Sequence, residues 1–200
     1  MGQDKASLIF GGETMLERAV RVMHEVADEV IVVSRAEQPM PAGVRAVLDP
    51  VEDLGPLAGI VAGLSASSTD VNVIVACDMP LVRAAVLRRL AELRGDADIC
   101  VAVADGHASP LCAVYRQHVG SVGQELLDAG ERRVMALLDR VATKRVDATA
   151  LRDIDPDLQS FISCDTPEAY QQALVRLKAD ATSALLASKT RSAVRPESGA

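Results

Sequence analysis

Short runs of β-branched residues alternate with longer amphipathic segments along most of this chain, and this alternation limits its fold more than any other feature. Residues 30–33, 71–76 and 98–103 form three such runs, rich in valine and isoleucine. Short runs that are largely apolar are typical of strands buried on both faces, as in parallel sheets. The alternation therefore predicts an α/β fold, with a mostly parallel sheet covered by helices on both faces.

Local signals mark the starts of three helices. Thr14-Met-Leu-Glu17 has the capping-box pattern and predicts a helix that continues to Asp28. Pro56 suits the first position of a second helix, and Thr166 suits the N-cap of a C-terminal helix that continues to about Lys178. The same periodicities predict further helices ending at Leu93 and over residues 119–127 and 131–141, and further strands over residues 44–49, 111–115 and 145–147.

Length and composition fit one domain followed by a tail. The 200 residues include 49% of hydrophobic types, which is enough for one core. Residues 1–180 carry the alternating pattern, whereas residues 181–200 are rich in Ala, Ser, Thr and Arg. We therefore predict a domain over residues 1–180 and a flexible tail over residues 181–200.

Charge and aromatic content argue against nucleic acid as a partner. The formal net charge is −7 at pH 7, so a polyanion would be repelled overall. Two Phe, two Tyr and no Trp leave little material for a base-stacking platform. No apolar run approaches the roughly 18 residues of a membrane span. Neither nucleic acid nor a membrane is predicted as a partner.

Several enzyme classes are excluded by their motifs. G-x-S-x-G, H-E-x-x-H and G-x-x-x-x-G-K-[ST] are all absent, which argues against serine hydrolases, zinc proteases and P-loop proteins. The cysteines have none of the close spacings of zinc or redox sites, so a reducing cytoplasm is the predicted location. The four cysteines are Cys77, Cys100, Cys112 and Cys164.

Three charged residues are candidates for a functional site. Asp78 follows a predicted strand at its carboxyl end, where open α/β sheets bind ligands, and Mg²⁺ favours such a carboxylate together with phosphate oxygens and water. A structural alternative is that Asp78 caps the helix after Pro80. Asp49 repeats the arrangement at the end of the preceding strand, or it forms a turn. Lys5 lies before any predicted element, where a solvated surface charge is the structural alternative.

Glycines recur at one face of the second helix. Gly55, Gly59 and Gly63 are spaced four residues apart, so small residues would let that helix approach the sheet closely. Packing is the favoured interpretation. The helix start after Gly55 also offers free N–H groups to an anion.

Seven short segments stand in a fixed order along the chain. They are M-G-Q-D-K at residues 1–5, D-P at 49–50, G-P-L-A-G at 55–59, C-D-M-P at 77–80, S-P-L-C-A-V-Y at 109–115, G-E-R-R-V at 130–134 and S-C-D-T-P-E at 163–168. G-P-L-A-G, C-D-M-P and G-E-R-R are the specific ones. Together the segments resemble those of the MobA-like nucleotidyltransferases, and the resemblance covers roughly residues 1–178.

The resemblance implies a three-layer Rossmann-like fold and a specific reaction. It favours the molybdenum cofactor guanylyltransferases, which transfer GMP from GTP to molybdopterin and release pyrophosphate. It implies catalytic roles for Lys5 and Asp78, with Asp78 holding Mg²⁺ and Lys5 neutralising phosphate charge. Asp49 would hold the nucleoside end, and Ser34 stands at the family's guanine-side position.

The resemblance also implies that one strand is missing from the sheet. The family's first strand and its L-A-G-G loop precede the position that matches Met1. Without them, the strands at residues 30–33 and 71–76 would have unpaired edges, and residues 1–200 are expected to bind GTP weakly and turn over little or nothing.

Two other functions remain open at this point. One is a cytidylyltransferase or sugar-phosphate nucleotidyltransferase of the same fold. The other, favoured by the absent glycine loop, is a non-catalytic domain that binds a molybdoenzyme or a cofactor-carrier protein.

Overall fold

The computed structural model describes residues 5–34, 39–48 and 55–179, and the chain in these ranges is built of short strands alternating with helices. The strands are β1 (Ile9–Phe10), β2 (Glu13–Thr14), β3 (Val30–Ser34), β4 (Val44–Leu48), β5 (Val71–Val75), β6 (Ile99–Ala104), β7 (His107–Arg116) and β8 (Thr143–Asp147). The helices are α1 (Met15–His24), α2 (Pro56–Ala66), α3 (Ala84–Arg94), α4 (Val119–Asp128), α5 (Val134–Arg140) and α6 (167–179). The predicted tail lies outside the described residues, so the domain boundary stays a prediction.

The main sheet has four strands in the order β5-β7-β6-β8. β8 runs parallel to β6, whereas β7 is antiparallel to both of its neighbours. The reason for the reversed strand is the tight turn at Asp105 and Gly106, which have φ values of 49° and 79°. Two consecutive residues with positive φ are typical of a two-residue hairpin, which forces antiparallel pairing. The α/β class is confirmed, with β7 as the one strand of this sheet that runs against the others.

Helices cover both faces of this sheet, as predicted. Alternate residues of β6 point to opposite sides, so Ile99 and Val101 pack against α2, α4 and α5. Cys100 and Ala102 pack against α3 on the other side. All four are fully buried, which places the core on both faces of β6 and gives three layers.

Capping side chains set several helix limits. The predicted capping box is present: Thr14 accepts a hydrogen bond from the Glu17 backbone, and the Glu17 side chain accepts from the Thr14 backbone. The Thr166 hydroxyl likewise accepts from Ala169 N at 3.1 Å at the start of α6. The prediction that the first helix continues to Asp28 is wrong, because the helix ends at His24. Beyond it, the Glu25 N–H donates to Val22 O at 3.1 Å, three residues back, which is a tighter turn than that of an α-helix.

Two glycines of α4, rather than the glycines of α2, bring α2 and α4 together. A Cβ added at Gly123 would lie 2.6 Å from Val61 Cγ2, and one at Gly120 would lie 3.1 Å from Leu64 Cβ. On α2, Gly63 does face the sheet, where a Cβ would lie 3.5 Å from Val33 Cγ2, but a Cβ at Gly59 would meet nothing within 4 Å. The predicted glycine face is therefore a packing feature at Gly63 only.

Strands β3 and β4 form a separate parallel sheet of two strands. Among the described strands, β3 pairs only with β4, and β5 pairs only with β7. Helix α2 contacts β3 and also packs on the core of the main sheet, so it links the two sheets. The edges that the resemblance marked as unpaired have no strand partner in the described residues. In the same ranges, no helix has both the length and the apolar character needed to cross a membrane.

Candidate active site

Asp78 lies three residues beyond the last residue of β5, on a segment whose backbone is held at several points. Its carbonyl accepts a hydrogen bond from Cys164 N at 2.8 Å, and Ala76 N donates to Leu111 O at 2.9 Å. The Arg18 guanidinium donates to Pro80 O on the far side of the segment. These bonds fix the loop after β5 against the start of the chain and the segment before α6. The Asp78 side chain keeps only 19% of its surface exposed.

Lys5 is the cation that faces Asp78. Its Nζ lies 3.2 Å from Asp78 Oδ2 and 2.6 Å from Asp165 Oδ1. The hydrogen bond to Asp165, followed by the interactions with Asp78, raises the pKa of Lys5 above its ordinary value, although partial burial opposes this. Lys5 is therefore an ammonium at neutral pH, as a group that neutralises phosphate charge must be.

Asp165 is a member of this cluster that the sequence did not single out. Lys5 and then the Ser163 hydroxyl, which donates to Asp165 Oδ2 at 2.7 Å, lower the pKa of this carboxyl. The only signal for Asp165 is its place in the S-C-D-T-P-E segment, directly before the N-cap of α6. The three groups together carry a net charge of −1 when both carboxylates are ionised.

The two carboxylates of this cluster suit a divalent cation that takes most of its ligands from substrate phosphates and water. Two carboxylates already share one ammonium, so the space between them accepts positive charge. No group of three or more His, Cys, Asp or Glu side chains placed to hold a metal is found among the described residues. Mg²⁺ usually binds through one or two carboxylates and completes its shell with phosphates and water, which fits these residues.

Of the other two predicted site residues, only Ser34 lies in the part of the chain that the structure describes. Ser34 ends β3 and lies in register with Leu48, so it stands at the carboxyl end of the separate sheet. Asp49 falls outside the described residues. Gly55 has a φ of +72° and precedes α2, whose N-terminus has no side-chain cap. The structure thus brings Lys5 and Asp78 together, while the roles of Ser34 and Asp49 stay predictions.

The G-E-R-R segment forms a tight local turn. The Glu131 carboxylate accepts hydrogen bonds from the backbone N–H groups of Arg132 and Arg133, both at 2.9 Å, and from the Arg133 guanidinium. This turn explains why α5 begins at Val134, although the sequence predicted a helix from residue 131. In this structure the segment organises the start of a helix.

Two buried cysteines, Cys112 and Cys164, do not add a reactive group to the site. None of the four cysteines forms a disulfide. Burial raises the pKa of Cys112 to about 12 and that of Cys164, which lies between Ser163 and Asp165, to about 11. Neither thiol is a thiolate at neutral pH, so neither is a ready nucleophile or metal ligand.

Comparison with known proteins identifies the family to which this chain is related. The family model described as the MobA-like NTP transferase domain matches residues 1–144. A curated protein of Desulfosudis oleivorans, named molybdenum cofactor guanylyltransferase, is 31% identical over 182 residues, which cover 89% of each protein.

Two solved structures share the fold. Molybdopterin-guanine dinucleotide biosynthesis protein A of Archaeoglobus fulgidus has a TM-score of 0.76 at 22% identity, with 89% of this chain and 92% of that chain covered. The 2-C-methyl-D-erythritol 4-phosphate cytidylyltransferase of Thermus thermophilus has a TM-score of 0.68 at 17% identity, with 87% and 94% covered. The family match and the Desulfosudis relative together show that this chain belongs to the MobA-like NTP transferase family.

Proposed function

We propose that this protein is a molybdenum cofactor guanylyltransferase, which transfers GMP from GTP to molybdopterin in a Mg²⁺-dependent reaction and releases pyrophosphate. The observation that carries the proposal is the Lys5–Asp78 pair, 3.2 Å apart, after the carboxyl end of β5. The name of the Desulfosudis relative supports the choice of substrates.

The proposed reaction is an in-line displacement at phosphorus. A terminal phosphate oxygen of molybdopterin bonds to the α-phosphorus of GTP. The bond from that phosphorus to the α,β-bridging oxygen breaks, and its electron pair leaves with pyrophosphate. Because the triphosphate and the acceptor phosphate are both anionic, the protein's task is to position them and to neutralise charge.

Lys5 would meet part of this task with its ammonium group. Lys5 donates to Asp78 and Asp165, and an ammonium has three N–H donors, so Lys5 can also donate to a phosphate oxygen. The bonds that hold the Asp78 loop keep Lys5 beside the carboxyl end of β5 before substrate arrives.

Asp78 would hold Mg²⁺, with Asp165 beside it. When bound, the metal supplies Lewis-acid polarisation of phosphate oxygens and offsets the charge of the leaving group. Ser34 and Asp49 are proposed to contact the nucleoside, as the resemblance implies. Four cysteines without a disulfide support a cytoplasmic site of action, where cysteines stay reduced.

The test compares products from four nucleotides. The purified chain, and the same chain with an L-A-G-G-x-S-x-R segment joined ahead of Met1, are each mixed with molybdopterin, Mg²⁺ and one of GTP, CTP, ATP or UTP, and dinucleotide product is measured by mass spectrometry. We expect product mainly from GTP, with little from residues 1–200 and more from the extended chain. A preference for CTP would instead indicate the cytidylyltransferase function, and no product from either chain with any nucleotide would favour a non-catalytic domain.

The N-cap of α3 is Arg83, so the alternative in which Asp78 caps the helix after Pro80 is wrong. Asp78→Asn separates a carboxylate that acts through its charge from a side chain with only a structural role, because asparagine keeps the shape and one acceptor oxygen. We expect turnover to fall roughly 100-fold or more, with little change in the thermal midpoint. Asp153→Asn is the matched control, because Asp153 is an exposed carboxylate paired with Arg89 at 3.3 Å. Wild-type activity in Asp78→Asn would contradict the metal-binding role.

A further inference from the structure

We infer that Asp165, through its ion pair with Lys5, makes nucleotide binding depend on a divalent cation. This inference rests on the proposed function, and it assigns Asp165 a positioning role that acts on Lys5 and on the field at the phosphates. The contact that carries it is the 2.6 Å pair between Lys5 Nζ and Asp165 Oδ1, which is shorter than the 3.2 Å pair with Asp78.

The geometry makes Asp165 the principal partner of the ammonium. Ser163 donates to the second carboxylate oxygen of Asp165 at 2.7 Å, which orients the first oxygen toward Lys5. The neighbouring Cys164 N is bonded to Asp78 O at 2.8 Å, so the segment that carries Asp165 is attached to the Asp78 loop. Lys5 is therefore held between two carboxylates whose backbone segments are joined by this hydrogen bond.

The charges of the cluster oppose a bare triphosphate. Asp78, Asp165 and Lys5 sum to −1, so the ammonium is already neutralised before a nucleotide arrives. The Asp165 side chain is 67% exposed, against 19% for Asp78, so an incoming phosphate meets Asp165 on the solvent side. A nucleotide without a cation must displace Asp165 from Lys5 or bind against its charge.

A divalent cation removes this conflict. Two positive charges beside the carboxylates release the ammonium for a phosphate oxygen and cancel the repulsion from Asp165. Because binding free energies are linked reciprocally, the cation must then tighten nucleotide binding by the same factor as the nucleotide tightens cation binding. The carboxylate charge of Asp165 is the source of part of that factor.

Asp165→Asn tests the charge separately from the shape. Asparagine keeps the size and one acceptor oxygen of the side chain. The GTP dissociation constant is measured by calorimetry with Mg²⁺ and with EDTA, in the absence of molybdopterin, so that the readout is independent of turnover. Asp165→Glu restores the charge, and Asp153→Asn removes another exposed carboxylate, one that lies outside the cluster.

The wild-type protein should bind GTP more tightly with Mg²⁺ than with EDTA. In Asp165→Asn the affinity for GTP in EDTA should rise about tenfold, because one unit charge is removed near a phosphate at a partly exposed site. The ratio of the GTP dissociation constant in EDTA to that in Mg²⁺ should therefore fall. Asp165→Glu should recover most of the wild-type ratio, and Asp153→Asn should leave it unchanged.

Two results would overturn the inference in different ways. If the wild-type protein binds GTP and Asp165→Asn keeps the same ratio, Asp165 has only a structural role, whatever its effect on the thermal midpoint. If the wild-type protein binds no GTP in either condition, the proposed function fails and the inference fails with it.

Discussion

At the scale of single residues, Asp155 shows how a buried charge is accommodated in this fold. Its side chain is 0% exposed, and its carboxylate accepts from the backbone N–H groups of Gln159 and Ser160 at 3.1 and 2.8 Å. Arg83 Nε lies 3.5 Å away and supplies a positive charge. The carboxylate thereby closes the loop between β8 and α6, which carries Asp165 at its far end.

Asp155→Ala should be among the most destabilising substitutions outside the hydrophobic core. It leaves the two buried N–H donors of Gln159 and Ser160 without their acceptor, and each buried donor left unsatisfied costs about 1–3 kcal/mol. Urea unfolding measures the loss. Asp157→Ala, two residues away and exposed, should change the free energy of unfolding by no more than about 0.5 kcal/mol. Equal effects of the two substitutions would contradict the assigned role of Asp155.

The lowered pKa of Glu131 predicts how the stability of the fold changes in acid. Hydrogen bonds from Arg133 and from the backbone lower the pKa of Glu131 to about 2, against an ordinary value of 4.5. A carboxyl with a lowered folded-state pKa stabilises the fold above its unfolded pKa, and this contribution is lost as the pH falls from about 4.5 to about 2.

Glu131→Gln should remove this part of the pH dependence. Urea midpoints measured between pH 6 and pH 2 should show a smaller difference between the wild type and the variant at the acid end. A constant difference across the range would mean that Glu131 acts only through its shape. Asp157→Asn serves as the control for the loss of one exposed carboxylate.

At the scale of secondary-structure elements, the contact between α2 and α4 depends on the absence of a side chain at Gly123. A Cβ there would lie 2.6 Å from Val61 Cγ2, on a buried β-branched residue that has little room to rotate. Gly123→Ala should destabilise the protein by about 1–3 kcal/mol, because the two helices must separate.

Gly59→Ala, on α2, is the matched substitution with the opposite expected sign. A Cβ at Gly59 meets nothing within 4 Å, so the gain in helix propensity should stabilise the protein by about 0.5–1 kcal/mol. Chemical unfolding of both variants tests the pair. If both substitutions destabilise the protein, or if neither does, close packing at Gly123 does not determine the effect of an added Cβ.

At the scale of the whole molecule, β3 and β5 are edge strands of two separate sheets. Each of these strands has one partner among the described residues, so the other edge leaves backbone N–H and C=O groups without a strand. Unpaired buried backbone groups cost on the order of 1–3 kcal/mol each, and open edges also promote aggregation.

Joining a strand and an L-A-G-G-x-S-x-R segment ahead of Met1 should therefore improve folding and binding. We expect a higher thermal midpoint, less light scattering on heating and tighter GTP binding than for residues 1–200. A scrambled segment of the same composition is the control. Equal melting temperatures and equal GTP affinities would show that no strand is accommodated between β3 and β5.

The sequence by itself determined most of the elements and two of the three residues of the cluster. The capping box at Thr14 and Pro56 at the start of α2 follow from interactions within a few residues, which local patterns encode. The position of Asp78 after a strand also follows from the local pattern, whereas the roles of Lys5 and Asp78 came from the family resemblance. Where the local pattern was incomplete, as at the end of α1 and the start of α5, the predicted limits were wrong by a few residues.

Only the tertiary structure decided which distant groups meet. Asp165 reaches Lys5 across 160 positions in the chain, and β7 turns back on β6 through a hairpin. Gly123 of α4 lies against Val61 of α2 because both helices share one face of the sheet. Such contacts depend on how the layers pack, and the hydrophobic periodicity of each contacting segment does not predict them. Lys5 and Asp78 could therefore be named from the sequence, but the second carboxylate that holds Lys5 required the fold.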